Sequence, residues 1–269
     1  MSAIALQAAG IRKSFAKNGR ALQILDVEGF SAREGEFITL IGPSGCGKST
    51  LLHIMGGFIP AEAGRIEVYG QEVRGPGPDR GMMFQEFALF PWKTVAGNIA
   101  WGLEVQGLPK AKIEETVGRY LDMIGLRDFR NHYPAELSGG MKQRAALARV
   151  LAFDPKVLLM DEPFGALDAQ TREVMHDLIL HVHALEKTTL VFVTHDVEEA
   201  IYLGHRVVLM APRPGRVDSI YDVPLPVRRD PEMKLSPEFI ALKREILARI
   251  RATSGMKTDL EMLEQLTRQ

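Results

Sequence analysis

One cysteine stands among the 269 residues of this chain, so no disulfide can form within it, which fits a reducing compartment. An excess of one charge is lacking too. Lysine and arginine number 33 against 34 aspartates and glutamates, a formal net charge of −1, whereas nucleic-acid binders present a basic face or stripe. No nucleic-acid partner is expected. No basic residue precedes Arg12 and no long apolar core follows Met1, so a secretory signal is not expected either. No uninterrupted apolar run reaches the length of a membrane span. The chain is therefore expected to stay in the cytoplasm and to meet a membrane only through a partner. His176, His181 and His183 share a predicted helix but lack the i, i+4 spacing of a helical metal site, and they read as a solvated face.

What is present begins with a core: 46% apolar and 25% charged residues suit a globular chain of one domain with a subdomain, or of two domains. Its organising stretch is Gly42-Pro43-Ser44-Gly45-Cys46-Gly47-Lys48-Ser49-Thr50. A short apolar strand, Glu36 to Ile41, precedes it, and an apolar helix, Leu51 to Met55, follows. Glycines at a strand-to-helix turn let the N–H groups from about Gly45 to Thr50 curl around phosphates at the positive end of a helix dipole. Lys48 adds a point charge at the outer phosphates, and the Ser49 hydroxyl suits Mg²⁺. Cys46 lies near a helix N-terminus, where a thiolate is favoured. A small loop-filling role is its plainer reading; a thiol reagent is nonetheless expected to block nucleotide binding, with ATP protecting.

Around this loop the chain alternates strands and helices. Ile4 to Ala8 and Gln23 to Phe30 read as antiparallel edge strands. Between them Arg12-Lys13-Ser14-Phe15 puts an aromatic ring on a basic loop, to stack on a nucleobase or simply to join the core. Gly64 to Gly70 is a strand bounded by glycines, Gly75 to Arg80 a turn-rich break, and Gly81 to Phe84 a buried strand ending at Gln85. Phe87 to Trp92 is apolar and broken by Pro91, a partner surface or a local core. Ile113 to Ile124 and Met141 to Ala152 are helical, and Ser138-Gly139-Gly140 opens the second with free N–H groups.

Val157 to Asp161 is a buried parallel strand whose tip carries Asp161 and Glu162, one carboxylate for a Mg²⁺ shell and one to polarise an attacking water. A helix from about Ala169 to Leu185 leads to the strand Thr189 to Thr194, and His195 at its tip is a candidate γ-phosphate contact. Arg206 to Met210 is a further strand, Ala211 to Arg216 closes the core, and residues 217 to 235 read as extended. Ser236-Pro237 begins a helix with Phe239, Ile240, Leu242, Ile246, Leu247 and Ile250 on one side, either a packed appendage or a docking surface. Thr258 and Glu261 form a capping box for a last short helix.

Taken in order, the phosphate loop, Gln85, Leu137-Ser138-Gly139-Gly140-Met141-Lys142-Gln143, Asp161-Glu162, Ala166-Leu167-Asp168 and His195 resemble the ATP-binding-cassette ATPases over nearly the whole chain. The resemblance implies an α/β fold: a P-loop NTPase (RecA-like) core with an antiparallel β edge subdomain and an inserted α-helical subdomain at about 93–152. It implies a cassette over 1–235 and a helical extension over 236–269. It implies a head-to-tail homodimer with ATP between the phosphate loop of one subunit and Ser138, Gly139 and Gly140 of the other. In that scheme Lys48 and Ser49 take phosphate and Mg²⁺, Gln85 senses Mg²⁺ and water, and Asp161 orders the metal. Glu162 is the general base, His195 holds the γ-phosphate, Asp168 crosses the dimer contact, and Phe15 stacks on adenine.

Gly75 to Gly81, Phe90 to Val95, Ala166 to Arg172 and Pro212 to Arg216 further resemble the nitrate, sulfonate and taurine group of bacterial importers. That implies a peripheral ATPase on the cytoplasmic face of the inner membrane, touching a permease near Phe87 to Trp92 and served indirectly by a solute-binding protein. Other small cargoes, such as a pyrimidine precursor, bicarbonate or an aromatic acid, fit the same resemblance. A soluble non-transport cassette would carry a long coiled-coil insert or a second cassette, which are missing. A P-loop GTPase or kinase leaves Ser138-Gly139-Gly140 unexplained and would show Asn-Lys-x-Asp, also missing.

Overall fold

The structure, a computed structural model, describes residues 3–17 and 20–254. Two long strands, β1 (Ile4–Lys17) and β2 (Arg20–Arg33), pair antiparallel as their alternating pattern requires. With β4 (Ala63–Val68) and β5 (Gln71–Glu72) they form a four-stranded sheet in the order β2-β1-β4-β5. Arg12 to Phe15 therefore belongs to a strand and not to the expected loop, because β1 runs on to Lys17.

The second sheet holds six strands. β3 (Phe37–Ile41), β6 (Arg80–Met83), β7 (Val157–Asp161), β8 (Thr189–Val193) and β9 (Arg206–Ala211) run parallel, and β10 (Arg216–Asp222) returns antiparallel to β9. Their order is β10-β9-β3-β8-β7-β6. Every residue of β3, β7 and β8 is buried, as continuous apolar runs demand when both faces are covered. Successive residues then serve opposite cores. Leu158, Met160, Leu190 and Phe192 face the larger core, while Val157, Leu159, Val191 and Val193 face the smaller one. Because the strands run in one direction, the C-terminal ends of β3, β7 and β8 meet at one edge, the usual ligand crevice of an open α/β sheet.

The smaller core lies between this sheet, the antiparallel sheet and α1 (Lys48–Met55). The larger takes residues from α2 (Val95–Val105), α3 (Lys110–Met123), α4 (Gly139–Leu151), α5 (Ala169–Glu186), α6 (Val197–Leu203) and α7 (Pro237–Ser254). The helix starting at Pro237 is thus packed: Phe239, Leu242 and Ile246 are buried, and α7 lies against α6 and β9. The extended reading of 217 to 235 holds in β10 and fails at Pro231–Leu235, a 3-10 turn capped by Asp230. The capping box at Thr258 and Glu261 lies outside the described residues.

The histidines of α5 correct the solvated-face reading. His181 is exposed, but His176 and His183 are buried with Met175, Ile179 and Val182 on the inner stripe of the helix. Their spacing of seven is two helical turns, so both side chains return to the core side. His183 Nε2 lies 3.1 Å from Gly35 O; a carbonyl only accepts, so that nitrogen carries the ring proton. Burial, helped by His205, lowers the His183 pKa from 6.5 to about 4. Between those values the unfolded chain binds a proton that the folded chain refuses, so stability falls as pH drops through the window. At pH 5 the loss is about 2 kcal/mol. Urea midpoints at pH 7 and pH 5 should differ less in His183→Gln than in the wild type; equal differences would show that another group carries the acid sensitivity.

Candidate functional site

The phosphate loop is built by its glycines. Gly45 has φ +77°, and no atom lies within 4 Å of where a β carbon would stand, leaving the loop concave and open there. Gly47 has φ +92° and forms the left-handed N-cap of α1. Behind the loop, Lys48 is buried, and its ammonium donates to Gly42 O at 2.8 Å and Pro43 O at 3.4 Å. Among the described residues no carboxylate forms an ion pair with it. A buried cation held only by carbonyls is a poor structural device and a good anion receptor. The loop therefore fits a phosphate group.

The acid pair divides at the tip of β7. Asp161 points inward: its Oδ1 accepts from Ser49 Oγ at 2.9 Å, and its Oδ2 lies 3.6 Å from His53 Nε2. Burial raises its pKa against the lowering pull of Ser49 and His53. A desolvated carboxylate beside a hydroxyl is a hard-oxygen pair that a cation would relieve. No group of three or more His, Cys, Asp or Glu side chains gathers among the described residues. Ser49 and Asp161 offer one hydroxyl and one carboxylate, the kind of pair that holds Mg²⁺ together with substrate phosphates.

Glu162 turns the other way. Its φ of +43° is left-handed, a conformation that costs a non-glycine residue about 1–3 kcal/mol and clusters at functional sites. Bonds from Glu162 N to Val193 O (3.0 Å) and from Gly165 N to Glu162 O (3.2 Å) hold the bend. The carboxylate reaches across to β8, where Oε2 meets His195 Nδ1 at 3.1 Å. Glu162 also lines a cleft of about 390 Å³ with Lys48, Ser49, Thr50, Ile24 and Phe15. Phe15 is 43% exposed there. The topology thus brings Phe15, the phosphate loop, Asp161, Glu162 and His195 to one edge.

It does not bring everything. Gln85 is exposed two residues beyond β6 and lines no part of that cleft. Ser138, whose side chain accepts from Met141 N at 3.3 Å, and Gly139 are exposed at the start of α4, and Gly140 is half-buried. Asp168 caps α5, accepting from Thr171 N at 2.9 Å and Thr171 Oγ1 at 2.7 Å. These hydrogen bonds to Thr171 lower its pKa. A β carbon on Gly140 would meet Thr171 Cγ2 at 2.5 Å, so the starts of α4 and α5 lie side by side, and neither lines that cleft.

Cys46 departs from the reactive-thiol expectation. It is fully buried, and burial raises its pKa although Lys48 pulls it down. A reagent must wait for the loop to open.

Three supports escaped the sequence reading. Gln143 Nε2 donates to Pro163 O at 2.6 Å, fixing the turn after Glu162 to α4. Glu199 accepts from the Thr194 hydroxyl and lies 2.7 Å from His176 Nε2, while Thr194 Oγ1 accepts from Asp196 N at 3.0 Å. That buried network grips the turn bearing His195. Gly215 backs the phosphate loop: its N–H donates to Ile24 O at 2.8 Å, and a β carbon there would lie 2.0 Å from Cys46 O. Overpacking against backbone typically costs about 1–3 kcal/mol. Gly215→Ala should therefore weaken ATP binding by about tenfold, a 1.4 kcal/mol loss, measured by titration with a fluorescent ATP analogue. A folded variant with wild-type affinity would mean that this loop does not support the phosphate site.

Comparison with known proteins gives these features a family. The ABC transporter family model matches residues 25–165, just over half of the chain. The chain is 50% identical to an ATP-binding protein of Brucella abortus (strain 2308), over 82% of this chain and 85% of that one. It is 47% identical to a taurine import ATP-binding protein of Roseobacter denitrificans, over 86% and 87%. It is 46% identical to a nitrate import ATP-binding protein of Synechocystis sp., over 84% and 87%. Among solved structures, a dimeric ATP-binding cassette in a post-hydrolysis state, bound to ADP and Pi, matches with a TM-score of 0.71 and 29% identity, covering 81% of this chain and 98% of that one. The chain belongs to the ABC transporter family, as an ATP-binding cassette whose ATP hydrolysis is coupled to transport.

Proposed function

We propose that this chain powers an importer for a small oxyanion or organic acid, with nitrate, taurine and other aliphatic sulfonates as the cargo class. The observation that carries the ATPase part is the meeting of three strand ends, where Ser49 touches Asp161 and Glu162 touches His195 beside an open phosphate loop. The cargo class rests on the names of the taurine and nitrate relatives.

In this reading the amides of Gly45 to Thr50 and the Lys48 ammonium hold the phosphates, and Phe15 packs on the adenine. Ser49 and Asp161 would hold Mg²⁺, and Gln85, which follows β6, is the residue assigned to sense it and the attacking water. Bound Mg²⁺ neutralises charge on the phosphate oxygens. Glu162 takes the proton of the attacking water, in an orientation fixed by its strained backbone and by His195. With His195 Nδ1 turned to Glu162, its Nε2 is left for the γ-phosphate. Most of the acceleration is positioning and electrostatics.

The patch formed by Ser138, Gly139, Gly140 and Asp168 lies outside its own cleft, which favours a head-to-tail homodimer in which each copy completes the other's site. A groove of about 720 Å³ floored by Phe58, Phe84, Phe90, Trp101 and Phe153 is a fitting seat for a permease helix, with Trp92, 71% exposed, beside it. No helix among the described residues is long and apolar enough to cross a membrane. The proposed position is peripheral, on the cytoplasmic face of the bacterial inner membrane, with a solute-binding protein acting through the permease.

The test is ATP hydrolysis by the complex that co-purifies with the tagged chain from solubilised native membranes, assayed with its binding protein and a panel of taurine, other sulfonates, nitrate and unrelated small anions. Stimulation by one of the first three assigns the cargo. A co-purified permease without such stimulation removes the oxyanion assignment, and the absence of any permease removes the importer.

A further inference from the structure

His53 follows Ser49 by four residues on α1, one helical turn, so both side chains leave the helix on the side of Asp161. Ser49 bonds one carboxylate oxygen at 2.9 Å, and His53 Nε2 faces the other at 3.6 Å. That nitrogen is buried and makes no hydrogen bond. Leaving such an atom unsatisfied costs about 1–3 kcal/mol, and the gap exceeds ordinary bonding distance by only about 0.5 Å. A small shift of the carboxylate closes it.

The other side of the ring belongs to a different surface. His53 lies against Phe58, with ring centroids 6.4 Å apart, and against Phe84, at 6.0 Å; those two rings pack edge to face at 5.5 Å. Phe58 and Phe84 both line the 720 Å³ groove, and Phe84 directly precedes Gln85. One imidazole therefore presents its nitrogen to the candidate metal carboxylate and its ring to the floor of the candidate docking groove.

We propose that His53 is a positioning residue that orients Asp161 for the metal and ties that carboxylate to the groove through Phe58 and Phe84. The proposal rests on Asp161 being a Mg²⁺ ligand. Partners one step behind a metal ligand commonly set 10–100-fold in metal affinity, and here that partner would also register what lies in the groove.

The probe is Mn²⁺ binding to the full chain in the presence of a non-hydrolysable ATP analogue, followed by electron paramagnetic resonance. His53→Phe keeps a ring against Phe58 and Phe84 but removes the nitrogen; it should weaken Mn²⁺ by about tenfold or more. Metal-free binding of a fluorescent ATP analogue should stay at the wild-type level, which also shows the variant to be folded. His53→Gln, whose amide reaches the position of the lost Nε2, should recover most of the loss. Phe84→Leu should weaken Mn²⁺ in the wild type and add nothing to His53→Phe, because its effect runs through the imidazole. Wild-type Mn²⁺ affinity in His53→Phe overturns the positioning role, and additive losses overturn the tie to the groove. If the wild type binds the analogue but shows no nucleotide-dependent Mn²⁺ binding, the metal reading of Asp161 fails and takes this proposal with it.

Discussion

Glu162→Gln is expected to slow ATP turnover by about a thousandfold while ATP still binds and holds two copies together. A positioned general base contributes roughly 10²–10⁴-fold, and glutamine keeps the volume of the side chain while losing its basicity. Nothing else at the site needs to move. The bend at residue 162 is held by backbone bonds to Val193 and Gly165, which do not depend on the side chain. The amide oxygen can still accept from His195 Nδ1, now 3.1 Å from the carboxylate. Asp161 faces Ser49 and His53 on the other side of the bend, so the proposed metal position is left alone. Steady-state hydrolysis and size-exclusion chromatography with ATP test the two halves separately. A rate within tenfold of wild type would mean that Glu162 is not the base. A dead variant that stays monomeric with ATP would point to damage in binding rather than in the chemical step.

The strands that gather this candidate site were legible because buried parallel strands read as continuous apolar runs. The apolar runs Val157 to Met160 and Thr189 to Val193 each stop at a chemically useful residue, and a parallel sheet carries those stops to one edge. The fold class came from the resemblance to the ATP-binding-cassette ATPases, and the two sheets agree with it. What the pattern hid depends on contacts between distant segments. Gly215 reads as part of a Pro- and Gly-rich turn, and only the approach of Cys46 O shows why no side chain fits there. The metal spacing of His176 and His183 is a question of i and i+4, while their burial follows the i, i+7 stripe they share with Ile179 and Val182. Phe15 falls on a strand because β1 is longer than its apolar start, and its ring opens onto the cleft nonetheless. Ser138-Gly139-Gly140 is legible as a helix start, and Ser138 does cap α4.

Phe239→Ala should cost about 3–5 kcal/mol of stability, the range for emptying a buried phenylalanine site. Ser236 starts α7, accepting from Phe239 N at 3.2 Å, with Pro237 in the first turn, where its missing N–H costs nothing. The helix then places Phe239, Leu242 and Ile246 in the larger core. Its charge pairs are the rival source of attachment: Lys243 with Glu198 at 2.7 Å and Arg249 with Asp218 at 2.6 Å. Partly exposed pairs of this kind are worth about 0–1 kcal/mol each, so the aromatic anchor should outweigh both together. Lys243→Ala and Arg249→Ala should accordingly shift the urea midpoint far less than Phe239→Ala does. The consequence reaches the site, because α7 lies against α6, and α6 begins two residues after His195. A chain ending before Ser236 would expose the back of α6 and loosen the turn that Thr194 and Glu199 hold. If Phe239→Ala shifts the midpoint by less than about 1 kcal/mol, α7 rests on the surface of the cassette rather than completing its core, and His195 owes its position to the Thr194 and Glu199 network alone.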